Sequence, residues 1–316
     1  TDPKLPTGLV RYAPAGQRSR SNAHPMILHH CKGAMAVCHN GNLVNAPKLR
    51  HKLEMSGSIF HGTSDTEVIA YLLTQNRLLT PNIEMAVSRT MDDIEGAYSL
   101  VIMTHTKLIA ARDPHGFRPL CIGELPEGSG WVFASESCAL DAVGARFVRD
   151  VRPGEIVVAD YNGLRSIETH CNTAPHTMCV FEYIYFARPD SVLEGTCVHD
   201  ARLQAGRFLA QEHPVEADVV IGAPDSGLDA ALGYSQESGI PYGMGFIKNK
   251  YVGRTFIQGS QAQRENSVRI KLNAITSTVK DKRVVLVDDS IVRGTPSART
   301  IRLLREAGAK EVHYRI

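Results

Sequence analysis

The sequence lacks the features that mark membrane, secreted and nucleic-acid-binding proteins. No apolar run approaches the roughly 18 to 20 residues that a membrane-spanning helix needs, and the N-terminal stretch TDPKLPTGLV has neither the basic nor the apolar region of a signal peptide. The formal net charge is only +2, with both signs spread along the 316 residues, which argues against a polyanion-binding arm. We therefore expect a cytoplasmic protein with neither membrane nor nucleic-acid partners.

Cysteine is present, but its spacing gives no sign of a structural role. The seven cysteines are an odd number and include no CxxC pair, which fits reduced thiols better than a disulfide framework. With 43% hydrophobic residues the chain can form ordinary cores, and its length exceeds the roughly 100 to 200 residues of a single domain. Two domains are therefore expected.

The two halves of the chain differ in their secondary-structure pattern. The first mixes short strands, broken by Gly, Pro and Asn turns, with helices predicted at Ala46–Met55 and Thr66–Thr74, and it reads as α+β. The second alternates strands and helices, among them a strand at Arg283–Val287 and a helix at Ala298–Ala307. Such alternation is typical of a parallel sheet, which binds ligands at the carboxyl ends of its strands.

A polar stretch without periodicity, YNGLRSIETHCNTAPHTM at 161–178, separates the two patterns. Stretches of this kind favour domain boundaries because few contacts cross them. We predict domains at 1–170 and 171–316.

The strongest chemical signal is VVLVDDSIVRGT at 284–295. Its apolar start predicts a strand covered on both faces, which places Asp288 and Asp289 at the carboxyl end of that strand. The loop that follows supplies hydroxyls and a flexible backbone whose N–H groups can converge on an anion. Carboxylates cannot bind phosphate but can bind ribose hydroxyls or a metal. The pattern favours a ligand with a sugar diol beside a phosphate; a capped helix start is the structural alternative.

VVLVDDSIVRGT resembles the phosphoribosyl pyrophosphate (PRPP) signature of type I phosphoribosyltransferases. The resemblance implies that Asp288 and Asp289 hold the ribose hydroxyls, directly or through Mg²⁺, and that the following loop binds the 5′-phosphate. The residues of this loop are Ser290, Ile291, Val292, Arg293, Gly294 and Thr295.

Two more segments are suited to bind the same ligand. APDSG at 223–227 follows a predicted strand and can cradle pyrophosphate, although a plain turn would explain it in isolation. The long segment 248–273 is rich in Lys, Arg and Gln and reads as a functional flap, with a solvated surface loop as the alternative. Its basic residues suited to offset pyrophosphate charge are Lys248, Lys250, Arg254, Arg269 and Lys271.

The first half contains five short segments that together describe an amino-acid site. They are VRYAPAG (10–16), HNGNLVN (39–45), TSDTEV (63–68), ARDPHGFRPL (111–120) and ASESCAL (134–140). Arg11 can pair with an α-carboxylate and Asp65 can take an α-ammonium, while Asn40 and Gly41 offer N–H groups to an oxyanion. The structural alternatives are a type I′ hairpin turn at Asn40–Gly41 and a capping box of Ser64 with Glu67.

In this order, the five segments resemble the glutaminase domain of N-terminal-nucleophile (Ntn) amidotransferases. The whole chain resembles the glutamine PRPP amidotransferase family of purine biosynthesis. The implied fold is an α+β Ntn hydrolase-like glutaminase domain followed by an α/β type I phosphoribosyltransferase domain with a parallel sheet.

The family resemblance also implies the chemistry. Glutamine would release ammonia, which attacks PRPP to give 5-phosphoribosylamine and pyrophosphate, with Mg²⁺ on Ser226, Asp288 and Asp289. It implies a homo-oligomer, dimeric or tetrameric, and inhibition by purine nucleotides. A non-catalytic PRPP-binding regulatory module is the alternative, which the flap and Ser226 argue against.

The chain departs from the family pattern at both ends. The family begins with a nucleophilic Cys-Gly, whereas this sequence begins with TDPKLP, and none of its seven cysteines matches that nucleophile. Thr1 is rejected as a substitute because the glutamine-site segment follows almost at once. We expect an incomplete sequence and an activity that depends on ammonia alone. Cys179 matches the first ligand of a family [4Fe–4S] cluster whose other ligands would lie beyond Ile316; a buried thiol is the alternative.

Overall fold

The computed structural model describes residues 20–248, 272–292 and 294–316, and the chain divides into two compact units, Thr1–Glu182 and Tyr183–Ile316. The domain bounds 1–170 and 171–316 stay a prediction. The polar stretch that suggested them is not wholly a linker, because residues Gly163–Ile167 form a strand that pairs with Ile156–Asp160 through a tight hairpin. The absence of periodicity in this stretch was therefore misleading: an exposed edge strand needs no apolar alternation.

The described part of the first unit contains nine strands and four α-helices. The strands are β1 (Met26–His30), β2 (Gly33–Leu43), β3 (Gly96–Met103), β4 (Leu108–Arg112), β5 (Cys121–Glu124), β6 (Trp131–Ala134), β7 (Arg146–Asp150), β8 (Ile156–Asp160) and β9 (Gly163–Ile167). The helices are α1 (Ala46–Met55), α2 (Asp65–Leu79), α3 (Ile83–Asp93) and α4 (Ser137–Ala142), with 3₁₀ turns at Arg20–Asn22 and Pro126–Gly128.

The first unit is layered. A six-stranded antiparallel sheet has the order β1-β2-β3-β4-β8-β9, and a three-stranded sheet has the order β6-β5-β7. Helices α1 to α3 cover one face of the larger sheet, where Leu53, Ile69 and Val87 share its main apolar cluster. The smaller sheet covers the other face, and α4 packs on the far side of the smaller sheet. Helix, sheet, sheet and helix thus follow one another, which confirms the α+β expectation.

The described part of the second unit has seven strands and four α-helices. The strands are β10 (Val192–Leu193), β11 (Thr196–Cys197), β12 (Val219–Gly222), β13 (Phe246–Lys248), β14 (Leu272–Ala274), β15 (Arg283–Val287) and β16 (Glu311–Arg315). The helices are α5 (Val198–Glu212), α6 (Leu228–Ser238), α7 (Thr276–Val279) and α8 (Thr295–Glu306), and a π-helical turn covers Glu182–Phe186.

The core of the second unit is a parallel sheet of order β12-β15-β16. Successive side chains of a strand point to opposite faces, so VVLV supplies two apolar cores. Val284 and Leu286 pack with Leu304 of α8, whereas Val285 and Val287 pack with residues of α6. The prediction of a strand covered on both faces is confirmed, and a parallel sheet so covered presents its carboxyl edge for ligands.

Candidate active sites at two strand ends

The carboxyl ends of β12 and β15 lie side by side because the two strands are parallel and Gly222 is paired with Val287. The Ala223 N–H donates to the Val287 carbonyl at 2.8 Å, which joins the start of the APDSG loop to the end of β15. Within that loop the Pro224–Asp225 peptide bond is cis. The two loops predicted to bind one ligand are therefore neighbours.

Two consecutive carboxylates lie at this edge, directly after β15. Asp289 Oδ1 accepts a hydrogen bond from Ser226 Oγ at 2.8 Å, and its Oδ2 accepts one from Ser290 Oγ at 2.8 Å. Asp288 Oδ1 accepts from the Asp289 N–H at 2.9 Å, and its Oδ2 accepts from the Tyr314 hydroxyl at 2.5 Å. The structure thus brings together Ser226, Asp288, Asp289 and Ser290.

Gly227 makes this close approach of the two loops sterically feasible. A Cβ atom at this position would lie 2.4 Å from the Val287 carbonyl oxygen and 3.1 Å from the Asp288 Cα. Both are backbone atoms at the end of β15, so any side chain here would push the APDSG loop off the carboxylates. Gly227 is part of the APDSG segment, but the reason why this position needs a glycine is seen only in the packing.

Ionisation of the Asp288 carboxyl group is unfavourable at this edge. Burial, with the neighbouring Asp289 adding to it, raises the pKa of Asp288 to about 6, although the Tyr314 hydrogen bond opposes the shift. Burial, and next the Asp288 carboxylate, raise the pKa of Tyr314, which therefore stays a hydroxyl donor. Negative charge that is costly without a partner attracts a cation or a donor-rich ligand.

The loop after Ser290 ends at the start of α8. Gly294 is the N-cap with a left-handed φ of 71°, a conformation that glycine adopts without strain, and Thr295 is the first helical residue. The N–H groups of a first helical turn have no partner within the helix and attract anions. Ile291 and Val292 are exposed, and Arg293 lies outside the described residues. The geometry of α8 fits a phosphate-binding start.

Lys248 is the only one of the predicted flap cations that falls in the described part of the chain. It ends β13 and forms an ion pair with Asp225 at 2.6 Å, in which both side chains are largely exposed. Strand β14 returns antiparallel to β13, so residues 249–271 join two paired strands. Lys250, Arg254, Arg269 and Lys271 lie in that segment and outside the described residues.

In the first unit, Asn40 and Gly41 lie inside β2. They pair with Ser99 and Tyr98 of β3, so the alternative of a type I′ hairpin turn is wrong. Gly41 has a φ of 155°, and a Cβ atom there would lie 2.0 Å from the carbonyl oxygen of Ala97. Asn40 and Gly41 therefore lie where two paired strands approach closely. The Asn-Gly sequence alone cannot distinguish this arrangement from a hairpin turn.

The end of β2 meets the start of α2. The Leu43 N–H donates to Asp65 Oδ2 at 3.0 Å, and Ser64 Oγ donates to Asp65 Oδ1 at 3.4 Å. Asp65 is buried, and His39 Nδ1 lies 3.7 Å from its Oδ1. Asn40, Gly41 and Asp65 are thus brought to one region of the unit, while Arg11 lies outside the described residues.

One hydrogen bond near Asn40 was not anticipated from the sequence. Asn40 Nδ2 donates to Ser135 Oγ at 3.2 Å, which orients the amide and leaves its second N–H for another acceptor. Ser135 lies in ASESCAL, one of the five segments that resemble the glutaminase domain. The sequence alone assigned this residue no role. No spacing rule could have found the contact, since it joins residues 95 positions apart.

The capping box considered at α2 does not form, although Ser64 is the N-cap. Its hydroxyl accepts from the Thr66 N–H rather than from the Glu67 N–H that a capping box uses. Glu67, however, accepts from the N–H groups of His61 and Gly62, each at 2.8 Å, and so holds the preceding loop. Two acids in TSDTEV therefore serve different parts of the backbone.

The charged residues of ARDPHGFRPL hold their own loop. Arg112 is almost fully buried and donates to the carbonyls of Gly116, Arg118 and Val151. Asp113 is fully buried and accepts from backbone N–H groups of the same loop, while burial raises its pKa. Most of these contacts lie within the segment, which forms the turn between β4 and β5, and the contacts of Arg112 to Val151 and of Arg118 to Glu182 tie that turn to other parts of the unit.

Within residues 20–248, 272–292 and 294–316, no group of three or more His, Cys, Asp or Glu side chains is arranged to hold a metal. Cys179 is half-buried, and its N–H donates to the Phe117 carbonyl. All seven cysteines are described and none forms a disulfide, in agreement with the expected thiols. The [4Fe–4S] cluster stays a prediction.

Comparison with known proteins identifies a domain family in each half of the chain. Residues 11–142 match the glutamine amidotransferase domain family, and residues 198–315 match the phosphoribosyl transferase domain family. The Bacillus subtilis amidophosphoribosyltransferase is 50% identical over 98% of this chain and 64% of its own length. The Methanocaldococcus jannaschii amidophosphoribosyltransferase is 48% identical over 98% of this chain and 68% of its own length.

This chain belongs to the amidophosphoribosyltransferase family. It spans about two thirds of the length of the curated relatives it matches. A solved structure of the B. subtilis glutamine PRPP amidotransferase, complexed with ADP and GMP, superposes with a TM-score of 0.88 at 49% identity, covering 97% of this chain and 66% of that one. The described helices of this family member include none long and apolar enough to cross a membrane.

Proposed function

We propose that the protein catalyses the first committed step of purine biosynthesis. The full family reaction converts glutamine, PRPP and water to 5-phosphoribosylamine, glutamate and pyrophosphate; for this chain, none of whose seven cysteines matches the family nucleophile, we propose that the transfer step runs with ammonia. Family membership supports the reaction class, and the joined Ser226, Asp288 and Asp289 side chains at the carboxyl edge of the parallel sheet carry the assignment.

The transfer step is assigned to this edge of the second unit. Asp288 and Asp289 hold the ribose diol, and the loop from Ser290 to Thr295 holds the 5′-phosphate at the start of α8. Ammonia attacks C1 of PRPP, the bond between C1 and the pyrophosphate oxygen breaks, and pyrophosphate leaves with that electron pair. A proton released from nitrogen completes the balance. The residues act by positioning the sugar and by compensating charge.

The donor set at this edge fits Mg²⁺. Ser226 Oγ and the carboxylates of Asp288 and Asp289 are oxygen ligands, which Mg²⁺ prefers, and Mg²⁺ is commonly held by one or two carboxylates together with substrate phosphates. When bound, the ion neutralises the leaving pyrophosphate. In the described ranges Cys179 belongs to no group of three or more His, Cys, Asp or Glu side chains that could hold a metal, and the reaction proposed here uses no iron–sulfur cluster.

The glutamine half of the reaction is assigned to the first unit. Asn40 and the backbone N–H of Gly41 would stabilise the oxyanion that forms when the family's nucleophilic cysteine, which none of the seven cysteines here matches, adds to the glutamine amide carbonyl; Asp65 binds the α-ammonium. Ser135 supports this role because its hydrogen bond fixes the plane of the Asn40 amide. Arg11 completes the proposal as the partner of the α-carboxylate.

We also propose the cellular setting. The protein is cytoplasmic, acts as a homodimer or homotetramer, and is inhibited by purine nucleotides. The nucleotide proposal is supported by the relative whose structure contains ADP and GMP.

The test uses ammonia as the nitrogen source because ammonia bypasses the glutaminase half. With Mg²⁺ and PRPP, the protein should release pyrophosphate when ammonia is added, and the double variant Asp288→Asn, Asp289→Asn should lower this rate by at least about 100-fold. A matched control is Asp281→Asn, an exposed carboxyl just before the amino end of β15, which should keep most of the rate.

The same assay separates the enzyme from the regulatory alternative. PRPP binding without pyrophosphate release would favour a non-catalytic module. Release that is unchanged in the double variant would show that the site lies elsewhere.

A further inference from the structure

Tyr314 reaches the carboxylate pair from the neighbouring strand. In the β15–β16 register Tyr314 lies opposite Leu286, and the ladder continues one step past the strand, where the Asp288 N–H donates to the Arg315 carbonyl at 3.0 Å. Because side chains alternate along a strand, Tyr314, Leu286 and Asp288 share one face of the sheet. The tyrosine hydroxyl therefore lies beside Asp288 by virtue of the register.

The Tyr314 ring is held by the core of the unit. It packs against the apolar cluster that includes Leu286 and Leu304, while its hydroxyl donates to Asp288 Oδ2 at 2.5 Å. The other oxygen, Oδ1, accepts from the Asp289 N–H at 2.9 Å. Each carboxylate oxygen of Asp288 thus has one donor from the protein frame and keeps a lone pair for a ligand.

Asp289 is held differently. Its two oxygens accept from Ser226 and Ser290, whose short side chains lie on the two loops. A serine hydroxyl can turn when a ligand enters, so the Asp289 carboxylate can reorient with it. Asp288, in contrast, is oriented before any ligand binds, and preorganised groups bind with less loss of freedom.

We propose that Tyr314 is a positioning residue that sets the affinity for magnesium-bound PRPP by fixing the orientation of the Asp288 carboxylate. The inference rests on the proposed function, since it assigns Asp288 to that ligand. Tyr314 acts through Asp288 and makes no contact with the substrate. Partners behind a metal-binding or substrate-binding carboxylate typically contribute about 10-fold to 100-fold in affinity.

The test is Tyr314→Phe, which keeps the ring in the core and removes only the hydroxyl. Calorimetric titration with PRPP in the presence of Mg²⁺ should show a dissociation constant raised about 10-fold. In the ammonia-dependent assay, KM for PRPP should rise by a similar factor while kcat changes by less than about twofold, because Tyr314→Phe keeps the Asp288 charge and its lost orientation weakens binding in the substrate complex and in the transition state alike.

A matched control is Tyr234→Phe in the same unit. It also removes one hydroxyl, which donates to the His213 carbonyl at 2.9 Å, and this contact belongs to a different core cluster from Tyr314. PRPP affinity should remain that of the wild type in this variant. Equal affinity of wild type and Tyr314→Phe, or an equal loss in both variants, would overturn the inference and leave the proposed function standing. A wild-type protein that does not bind PRPP with Mg²⁺ would overturn both.

Discussion

Carboxylates are used differently at the two candidate sites. In the first unit, Asp65, Glu67 and Asp113 accept hydrogen bonds from backbone N–H groups of nearby strands and loops. In the second unit, Asp288 and Asp289 accept from three side-chain hydroxyls and one backbone N–H. The first arrangement ties the carboxylates to the backbone, whereas in the second the two serine hydroxyls can turn toward a ligand.

The difference has an energetic consequence. A buried carboxylate that satisfies backbone N–H groups cannot be removed without leaving those groups unpaired, at a cost of about 1 to 3 kcal/mol for each. A half-buried pair of like charges is already destabilising when it lacks a partner. Substitutions at key positions in the first unit should therefore cost stability, and substitutions at the strand end of the second unit should cost ligand binding.

The largest expected effect is that of Gly41→Ala in the first unit. Its Cβ would lie 2.0 Å from the Ala97 carbonyl oxygen of the paired strand, so β2 and β3 must separate. We expect a loss of about 4 kcal/mol or more in the free energy of unfolding. Urea unfolding followed by tryptophan fluorescence measures it, because Trp131, the single tryptophan, lies in this unit.

Gly130→Ala is the control for Gly41→Ala. A Cβ atom there would meet only the Leu125 side chain, at an ordinary 3.5 Å, and Gly130 has no left-handed φ. Its unfolding midpoint should stay close to that of the wild type. A Gly41→Ala protein with the wild-type midpoint would contradict the tight approach of β2 and β3.

The next effect is that of Glu155→Ala. Glu155 is fully buried, and its two oxygens accept from Arg149 at 2.8 Å each. Removing Glu155 leaves the partly exposed Arg149 guanidinium and the Arg152 N–H without their acceptor, which is expected to cost about 2 kcal/mol at pH 7. Glu168→Ala, which removes an exposed partner of Arg152, should cost less than about 0.5 kcal/mol in the same fluorescence assay.

The contribution of Glu155 also depends on pH. Burial alone would raise the pKa of Glu155, but the Arg149 hydrogen bonds outweigh it and lower the pKa to about 2. The stabilisation is therefore complete above the ordinary value of 4.5 and is lost as the pH falls toward 2. The difference in unfolding free energy between wild type and Glu155→Ala should shrink between pH 4.5 and pH 2. A constant difference over that range would contradict the ion pair.

The sequence predicted elements whose patterns are local. The bounds of α1 and β15 agree with the predictions at both ends, since Pro47 near the helix start and the polar residues around VVLV are local signals. Helix α8 begins three residues before its predicted start, at Thr295, because its N-cap is a left-handed glycine within the loop. Strand β9 was missed because it is short and its two apolar residues, Leu164 and Ile167, pack against different clusters, so no alternation is seen in the sequence.

The residues of the candidate sites also divide into those that local sequence patterns predict and those that they do not. Asp288, Asp289 and Ser226 could be proposed because they follow apolar strands, and parallel strands bring their carboxyl ends together. Ser135 and Tyr314 could not, since their contacts depend on the register between strands and on distant loops. Sequence spacing records which residues lie at a strand end, but the partners that orient them come from elsewhere in the chain.

The smallest expected effect is that of Asp288→Asn, which should raise the stability of the second unit, whereas the substitutions in the first unit lower stability. The pKa of Asp288 is raised by burial from its ordinary 3.8 to about 6, so the ionised carboxylate destabilises the ligand-free fold. Stability should fall as the pH rises from 3.8 to about 6 and then stay constant. At pH 8, Asp288→Asn should therefore stabilise the second unit by about 1 kcal/mol, less than the full shift implies because the half-buried group keeps some hydration.

Hydrogen exchange of the β15 amides, measured by mass spectrometry with a chelator present, reports this stability. Exchange in Asp288→Asn should be slower than in the wild type at pH 8, while Asp225→Asn, which alters an exposed carboxyl of the neighbouring loop, should leave it unchanged. PRPP affinity should fall in Asp288→Asn at the same time, because a site that holds two carboxylates close together loses stability in the ligand-free state and gains ligand binding. Faster exchange in this variant would mean that Asp288 supports the fold in the way that Asp65 and Glu67 do.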